Sequence, residues 1–309
     1  MTRVRIPVRA FIKMEEIQEK NKFERFHDKH YKSLLLIPLS ILVLGFIYMF
    51  FFYANNQDFV LKDISLTGGT AVTIYDDINS NKIKEDLSDR LEDISTREIY
   101  DLITREKRAV IIETKTPGKE TREVLEEYLG YNLTGENSSF EFTGSILSES
   151  FYRQLLIAIL IAFIFMAIVV FIIFRTFIPS LAVILSAFMD IFMTLVLINL
   201  LGIKLSTAGI VAFLMLIGYS VDTDILLTTR ILKRHRGSLN ERIFGAFKTG
   251  ITMTLTSLLA VVIALFVVKS FSPILTQIFT ILAIGLGFDI LNTWITNVSI
   301  LKWYVKRKE

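Results

Sequence analysis

Four aspartates stand where charge is costly. Asp190, Asp222, Asp224 and Asp289 each interrupt a run of otherwise apolar residues. A carboxylate left ionised at the centre of a lipid-spanning helix costs about 2.5 to 3.5 kcal/mol on an insertion scale. Desolvation favours the neutral acid over the carboxylate, so a carboxyl in this setting is suited to taking up and releasing a proton. The competing reading is structural: each Asp bonds neighbouring Ser or Thr hydroxyls, or caps a broken helix.

The elements that carry these acids follow from the apolar pattern. The 309-residue chain is 52% apolar with 25 Phe and a mean hydropathy of +0.51, more than a water-soluble core of that size needs. Runs long enough to cross a hydrocarbon layer about 30 Å thick fall at 33–54, 154–174, 177–201, 205–227, 249–268 and 274–301. Six spans place both termini on one side. The first run is expected to stay as an anchor, because 32 polar-rich residues precede it and no small-residue cleavage site follows.

Counting inward from Thr207 and Ile274, Asp222 and Asp289 are each 15 residues deep, roughly 22 Å by helical rise, which would let them face one another. Asp190 is 13 residues from the opposite end of its span and should lie nearer the outer surface. Small and hydroxylated residues surround the acids in sequence: Ser206 to Gly209 and Gly218, then Gly250, Thr252, Thr254, Thr256 and Ser257, then Gly285 and Gly287. These allow close helix packing in lipid and offer hydrogen-bond partners to a buried carboxyl.

Charge orients the bundle. Residues 1–32 carry nine Lys or Arg, the 228–248 connection carries six, and the tail 302–309 carries Lys302, Lys306, Arg307 and Lys308, whereas the opposite short connections hold Lys204 and Lys269. The positive-inside rule makes 1–32 a cytoplasmic basic segment, 228–248 a cytoplasmic loop and both termini cytoplasmic. The five later spans form one bundle over 151–301.

Residues 55–150 break the apolar pattern and fall on the outer side. They hold 11 basic against 20 acidic residues, which disfavours a nucleic-acid partner by like-charge repulsion. Strand-like 69–75, helical 79–93, strand-like 97–103 and 107–114, helical 117–129 and strand-like 138–142 make a β-α-β-β-α-β order. The expected fold is a membrane all-α six-helix bundle carrying an inserted α+β, ferredoxin-like extracytoplasmic domain between spans one and two.

Several chemistries find no support. There is no cysteine, no Walker-type phosphate loop, no H-E-x-x-H and no G-x-S-x-G. His27, His30 and His235 all fall in basic segments and read as solvated side chains rather than metal ligands. No cofactor or metal is expected. An intramembrane aspartyl protease would need a G-x-G-D turn, whereas Gly285 to Asp289 reads G-L-G-F-D, one residue too long.

The segments D-I-S-L-T-G-G-T (Asp63 to Thr70) and G-Y-S-V-D-T-D-I-L-L-T-T-R (Gly218 to Arg230), with the six-span plan, resemble the SecF-type members of the SecD/SecF protein-export family. The likeness is to the archaeal branch and covers essentially the whole chain. It implies a non-enzymatic half-transporter of the resistance-nodulation-division superfamily, paired with a SecD-type membrane protein beside a SecYE-type translocon. Such a pair uses the proton-motive force to help draw an exported, unfolded preprotein across the cytoplasmic membrane bilayer. Gly68, Gly69 and Thr70 would join the first span to the external domain, and Gly218, Tyr219 and Ser220 would lead into the relay acid.

Two departures from the bacterial pattern matter. The bacterial G-Y-S-x-N-D-T places its carboxylate where this chain has Thr223, between Asp222 and Asp224, leaving either acid to inherit the role. Met253 stands about where a fifth-span basic residue is expected. Two other readings share the same features: a passive scaffold that stabilises a SecD-type partner, with bonded and inert aspartates, and a proton-coupled exporter of lipids or small molecules.

Overall fold

The computed structural model describes residues 30–31, 33–101, 104, 106–233 and 237–308. The basic N-terminal segment, apart from its last few residues, lies outside them, as do His27 and His235.

Six helices among the described residues are long and apolar enough to cross a membrane. They are α1 (Leu36–Asn56) before the sheet and, after it, α5 (Ser145–Phe174), α6 (Phe177–Leu200), α7 (Thr207–Lys233) and α8 (Leu239–Val268). The sixth path is composite: α9 (Pro273–Leu291), a π-helical turn over Asn292–Asn297, then α10 (Val298–Lys308). Helices α6, α7 and α9 carry the buried faces of the bundle, while α1, α5 and α8 turn most of their apolar side chains outward. That outward apolar surface is what lipid covers.

Several helix ends are set by local chemistry. Arg175 takes a left-handed conformation (φ +52°) and turns the chain from α5 into α6 within two residues. Ser238 and Glu241 form a reciprocal capping box that starts α8. Ser272 caps α9, whose first residue is Pro273. With α7 running to Lys233 and α8 starting at Leu239, most of the expected 228–248 loop is helical. Arg230, Lys233, Arg242 and Lys248 lie within these two helices, since Arg and Lys are good helix formers, while Leu227, Ile231, Ile243 and Ala246 of the same segments pack against Trp294, Val298 and Leu301. Likewise α5 begins at Ser145, nine residues before the apolar run, directly after the sheet.

Between α1 and α5 lie a short helix α2 (Ile64–Thr67), β1 (Gly69–Ile74), α3 (Ser80–Leu87), β2 (Ser95–Tyr100), β3 (Lys107–Thr114), α4 (Gly118–Leu129) and β4 (Ser138–Thr143). The four strands form an antiparallel sheet ordered β2-β3-β1-β4, with Val72 opposite Ile112 and Phe140. Its core packs Val72, Ile74, Val110 and Ile112 against Ile83 and Leu87 of α3 and Val124 and Leu125 of α4, so both helices cover one face. The second strand sits two residues earlier than the expected 97–103, because Ser95 and Thr96 continue the pairing with Glu113 and Ile112. Residues 102, 103 and 105 lie outside the described residues.

Sheet and bundle are tied at several points. Lys62 bridges Leu205 in parallel, Asp63 N–H donates to Leu205 O at 2.9 Å, and Thr207 N–H donates to Ser65 Oγ at 3.2 Å. Lys204 Nζ lies 2.8 Å from Asp93 Oδ1, and Tyr100 N–H donates to Ser270 O at 2.9 Å. Gly68 (φ +81°) and Gly69 (φ +147°) occupy the turn between α2 and β1, where a side chain would meet the backbone of Ser145 and Thr114 respectively. Thr70 is fully buried and donates to Thr116 O at 2.8 Å.

Candidate functional site: a buried carboxyl cluster

Three of the four aspartates converge. Asp190 on α6, Asp224 on α7 and Asp289 on α9 are each completely inaccessible, brought together because the three helices that share the bundle interior pack their small and polar faces against one another. Asp289 accepts from Thr223 Oγ1 at 3.0 and 3.2 Å and from Thr254 Oγ1 of α8 at 3.4 Å. Asp224 Oδ1 accepts from Asn297 Nδ2 at 2.7 Å. Asp190 accepts from Asn292 Nδ2 at 2.7 Å and from Ser220 Oγ.

Thr293 joins two of the acids. Its Oγ1 lies 2.9 Å from Asp224 Oδ1 and 3.1 Å from Asp289 Oδ1. A hydroxyl has one proton to donate, so both contacts are hydrogen bonds only when one of the two acids donates back to the Thr293 oxygen. The geometry thus has a place for a proton between Asp224 and Asp289. All of these direct partners are hydroxyls or amides; no Lys or Arg is among them. Nor do three acid or imidazole side chains among the described residues converge in a metal-holding arrangement.

The π turn makes this cage. Its wider winding puts Asn292, Thr293 and Asn297 on the side facing α6 and α7, where they reach all three acids. Turns of this kind recur where a helix has been opened at a functional position. Buried Asn292 Oδ1 and Asn297 Oδ1 also lie here without a protein partner among the described residues. Unpaired polar atoms are expensive in a packed interior.

Asp222 does not join the cluster. It is exposed, on the outward face of α7 with Gly218 and Tyr219, and Thr223 meets Asp289 in its place. Counting depth puts Asp222 level with Asp289 but says nothing about azimuth, and one residue turns a helical side chain by about 100°. Within the motif, Ser220 is buried and bonded to Asp190, while Gly218 has open space where a Cβ would stand. Met253 likewise faces outward, and its neighbour Thr254 presents the α8 side to Asp289.

Asn292, Thr293 and Asn297 were not singled out by sequence reasoning. Their signal was present: Asp289, Thr293 and Asn297 recur every four residues in an apolar span, a polar stripe on one helical face.

A family model described as protein export membrane protein SecD/SecF, C-terminal, matches residues 125–307. The protein-export membrane protein SecF of Methanocaldococcus jannaschii is 42% identical over 282 residues, 90% of this chain and 96% of its own. That of Pyrococcus furiosus is 33% identical over 291 residues, 94% of this chain and 96% of its own. Among solved structures, the crystal structure of SecDF, a translocon-associated membrane protein from Thermus thermophilus, superimposes with a TM-score of 0.70 at 20% identity. It is matched over 90% of this chain but only 38% of the SecDF chain, and at that identity the likeness is one of fold. By the family model and by relatives matched over nearly their whole length, this multi-pass membrane chain belongs to the SecF branch of the SecD/SecF protein-export family.

Proposed function

We propose that the chain is an accessory subunit of Sec protein export, a non-enzymatic one, which pairs with a SecD-type protein and couples proton movement through Asp190, Asp224 and Asp289 to work on an exported polypeptide. The observation that carries this reading is the Thr293 hydroxyl shared by Asp224 and Asp289. Three fully buried acids with no cation among their direct partners are costly as a static scaffold, and a shared donor between two of them gives a proton two adjacent resting places.

The sheet domain is assigned to the outer side as a ferredoxin-like sandwich. Its strand order and one-sided helices support the fold, and the excess of Lys and Arg at the opposite ends of the helices supports the side, with both termini cytoplasmic. Helix α7 carries Asp224 and starts at Thr207, whose N–H donates to Ser65 of α2, the short helix that leads into β1, so a shift of α7 on protonation is passed through α2 toward the outer domain. One charge crossing about 100 mV releases roughly 2.3 kcal/mol, enough to bias a two-state arrangement some fiftyfold. The SecDF chain is more than twice as long as the part matched here, which supports a second half supplied by a SecD-type partner. We assign the outward face bearing Gly218, Tyr219 and Asp222 to that partner, since a carboxyl at membrane depth needs polar cover.

The test is gradient-driven export of a preprotein in membrane vesicles containing the full complex. Asp224→Asn, Asp289→Asn and Asp190→Asn should each remove the gradient-dependent part. If all three retain it, the cluster is a scaffold and the proton-coupled reading is wrong.

A further inference from the structure

At the end of the bundle remote from the sheet, the C-terminal ends of α5, α7 and α10 and the N-terminal ends of α6 and α8 enclose a pocket of about 520 Å³. Its polar lining comes from Lys233, Arg242, Lys308, Thr176 and Tyr304, and no acidic side chain among the described residues lines it. The walls are apolar, from Phe174, Ile231, Leu232 and Val305. Nothing in the carboxyl cluster touches it.

Three features of the pocket suit an anion. Lys233 Nζ stands 5.9 Å from the Phe174 ring centroid, and Lys308 Nζ stands 5.9 Å from that of Tyr304, so both ammonium groups lie against aromatic faces at the rim. Arg242 donates Nη1 to Ile231 O at 2.6 Å, which anchors the guanidinium in the wall beside the end of α7. Thr176 precedes α6 at its N-cap, yet its side chain makes no capping bond, and Oγ1 is buried without a protein partner while lining the pocket. The 24-residue α6 thus presents the positive end of its dipole there with a spare hydroxyl.

We propose that this pocket binds the phosphate headgroup of an anionic phospholipid, with the acyl chains lying along the apolar wall. Solution phosphate offers the same anionic oxygens but leaves Phe174, Ile231, Leu232 and Val305 unused, whereas a lipid at the membrane boundary fills both halves of the lining. Basic pockets between spans at this level suit anionic headgroups on electrostatic grounds. A bound lipid would tie the α5–α6 turn to the ends of α7 and α10.

The full-length chain, purified in mild detergent, is examined by native mass spectrometry with added dioleoylphosphatidylglycerol or dioleoylphosphatidylcholine. Wild type should retain phosphatidylglycerol and not phosphatidylcholine. Lys233→Gln and Lys308→Gln, both exposed at the rim, should each weaken retention about fivefold, as expected for one charge near a membrane surface. Thr176→Val should weaken it as well, and Arg307→Gln, a charge on α10 outside the pocket lining, should not. Unchanged melting of the variants in lipid-free detergent separates lost binding from lost folding. Equal retention of both lipids, an equal loss in Arg307→Gln and Lys308→Gln, or full displacement of the lipid by millimolar inorganic phosphate would each overturn the proposal.

Discussion

Thr223 places its hydroxyl 3.0 Å from Oδ1 of Asp289 and 2.9 Å from the carbonyl oxygen of Ser220. A single proton serves two acceptors on two helices, so a change in the charge of Asp289 alters which of them Thr223 bonds. Helix α7 is thereby sensitive to the state of an acid on α9. The same logic holds at Thr293, and together the two hydroxyls link every member of the cluster except Asp190, which Ser220 and Asn292 hold from the flanks.

Removing the shared hydroxyl should separate the two acids. Thr293→Val keeps the shape of the side chain but deletes the donor common to Asp224 and Asp289. Thermal unfolding in detergent should show a loss of about 1–3 kcal/mol, the usual cost of leaving buried acceptors unsatisfied. Gradient-driven export should fall while assembly with the partner is retained. Export equal to wild type would show that Thr293 takes no part in coupling.

Two glycines predict opposite outcomes. A side chain at Gly250 would run into the indole ring of Trp294, which is itself held edge-on by Phe247 with ring centroids 5.1 Å apart. Trp294 follows Thr293 in the π turn, so Gly250→Ala should distort the turn and destabilise the protein by about 1–3 kcal/mol, the range for overpacking. Gly218 belongs to the recognisable motif, yet nothing lies within 4 Å of the point where an alanine methyl would stand. Gly218→Ala, inside α7 with room for the methyl, should raise the stability of the isolated chain by up to about 1 kcal/mol; a large drop there would contradict the packing described.

Most of the architecture was readable because apolar runs and helical periodicity report length and burial directly. The six spans and the order of strands and helices followed from that. Azimuth was not readable: Asp222 and Asp224 differ by two residues and face different surroundings, and only the packing of α6 and α9 against α7 decides which is enclosed. The π turn was equally hidden, since a one-residue widening leaves no mark on composition. The helical ends of 228–248 were obscured because a charge-rich segment reads as loop when its helix merely continues beyond the lipid.

The Asp93 contact predicts acid sensitivity at the junction of sheet and bundle. Partial burial works to raise this carboxyl, but Lys204 and Lys115 outweigh it and hold it below its ordinary 3.8. A carboxyl lowered in the folded state contributes stability above its unfolded value and loses it as the pH falls through the folded value. The junction should therefore loosen below about pH 4, seen as reduced hydrogen-exchange protection, relative to the intrinsic rate at each pH, at the Tyr100 amide that donates to Ser270 O. Asp93→Asn should show reduced protection at neutral pH already and little further change on acidification. Protection in the variant that stayed high at neutral pH would place the tie elsewhere.

The turn after the first span predicts a backbone effect. Gly69 adopts φ +147° with Thr114 O in the place of any Cβ, so Gly69→Ala cannot keep the present path into β1. Its expected result is loss of sheet protection with the spanning helices still intact, measured by hydrogen exchange across β1 and β3. Normal protection of both strands would show that the turn has another way through.

Infrared difference spectroscopy of the reconstituted complex during an imposed pH step tests proton exchange at the buried acids most directly. Wild type should show a protonated-carboxyl band that changes with the gradient, persists in Asp222→Asn, is diminished when Asp224 and Asp289 are both replaced by Asn, and is lost when Asp190 is replaced as well. A band unaffected by that double replacement, or no change in wild type at any pH while export continues, would contradict proton coupling through the cluster.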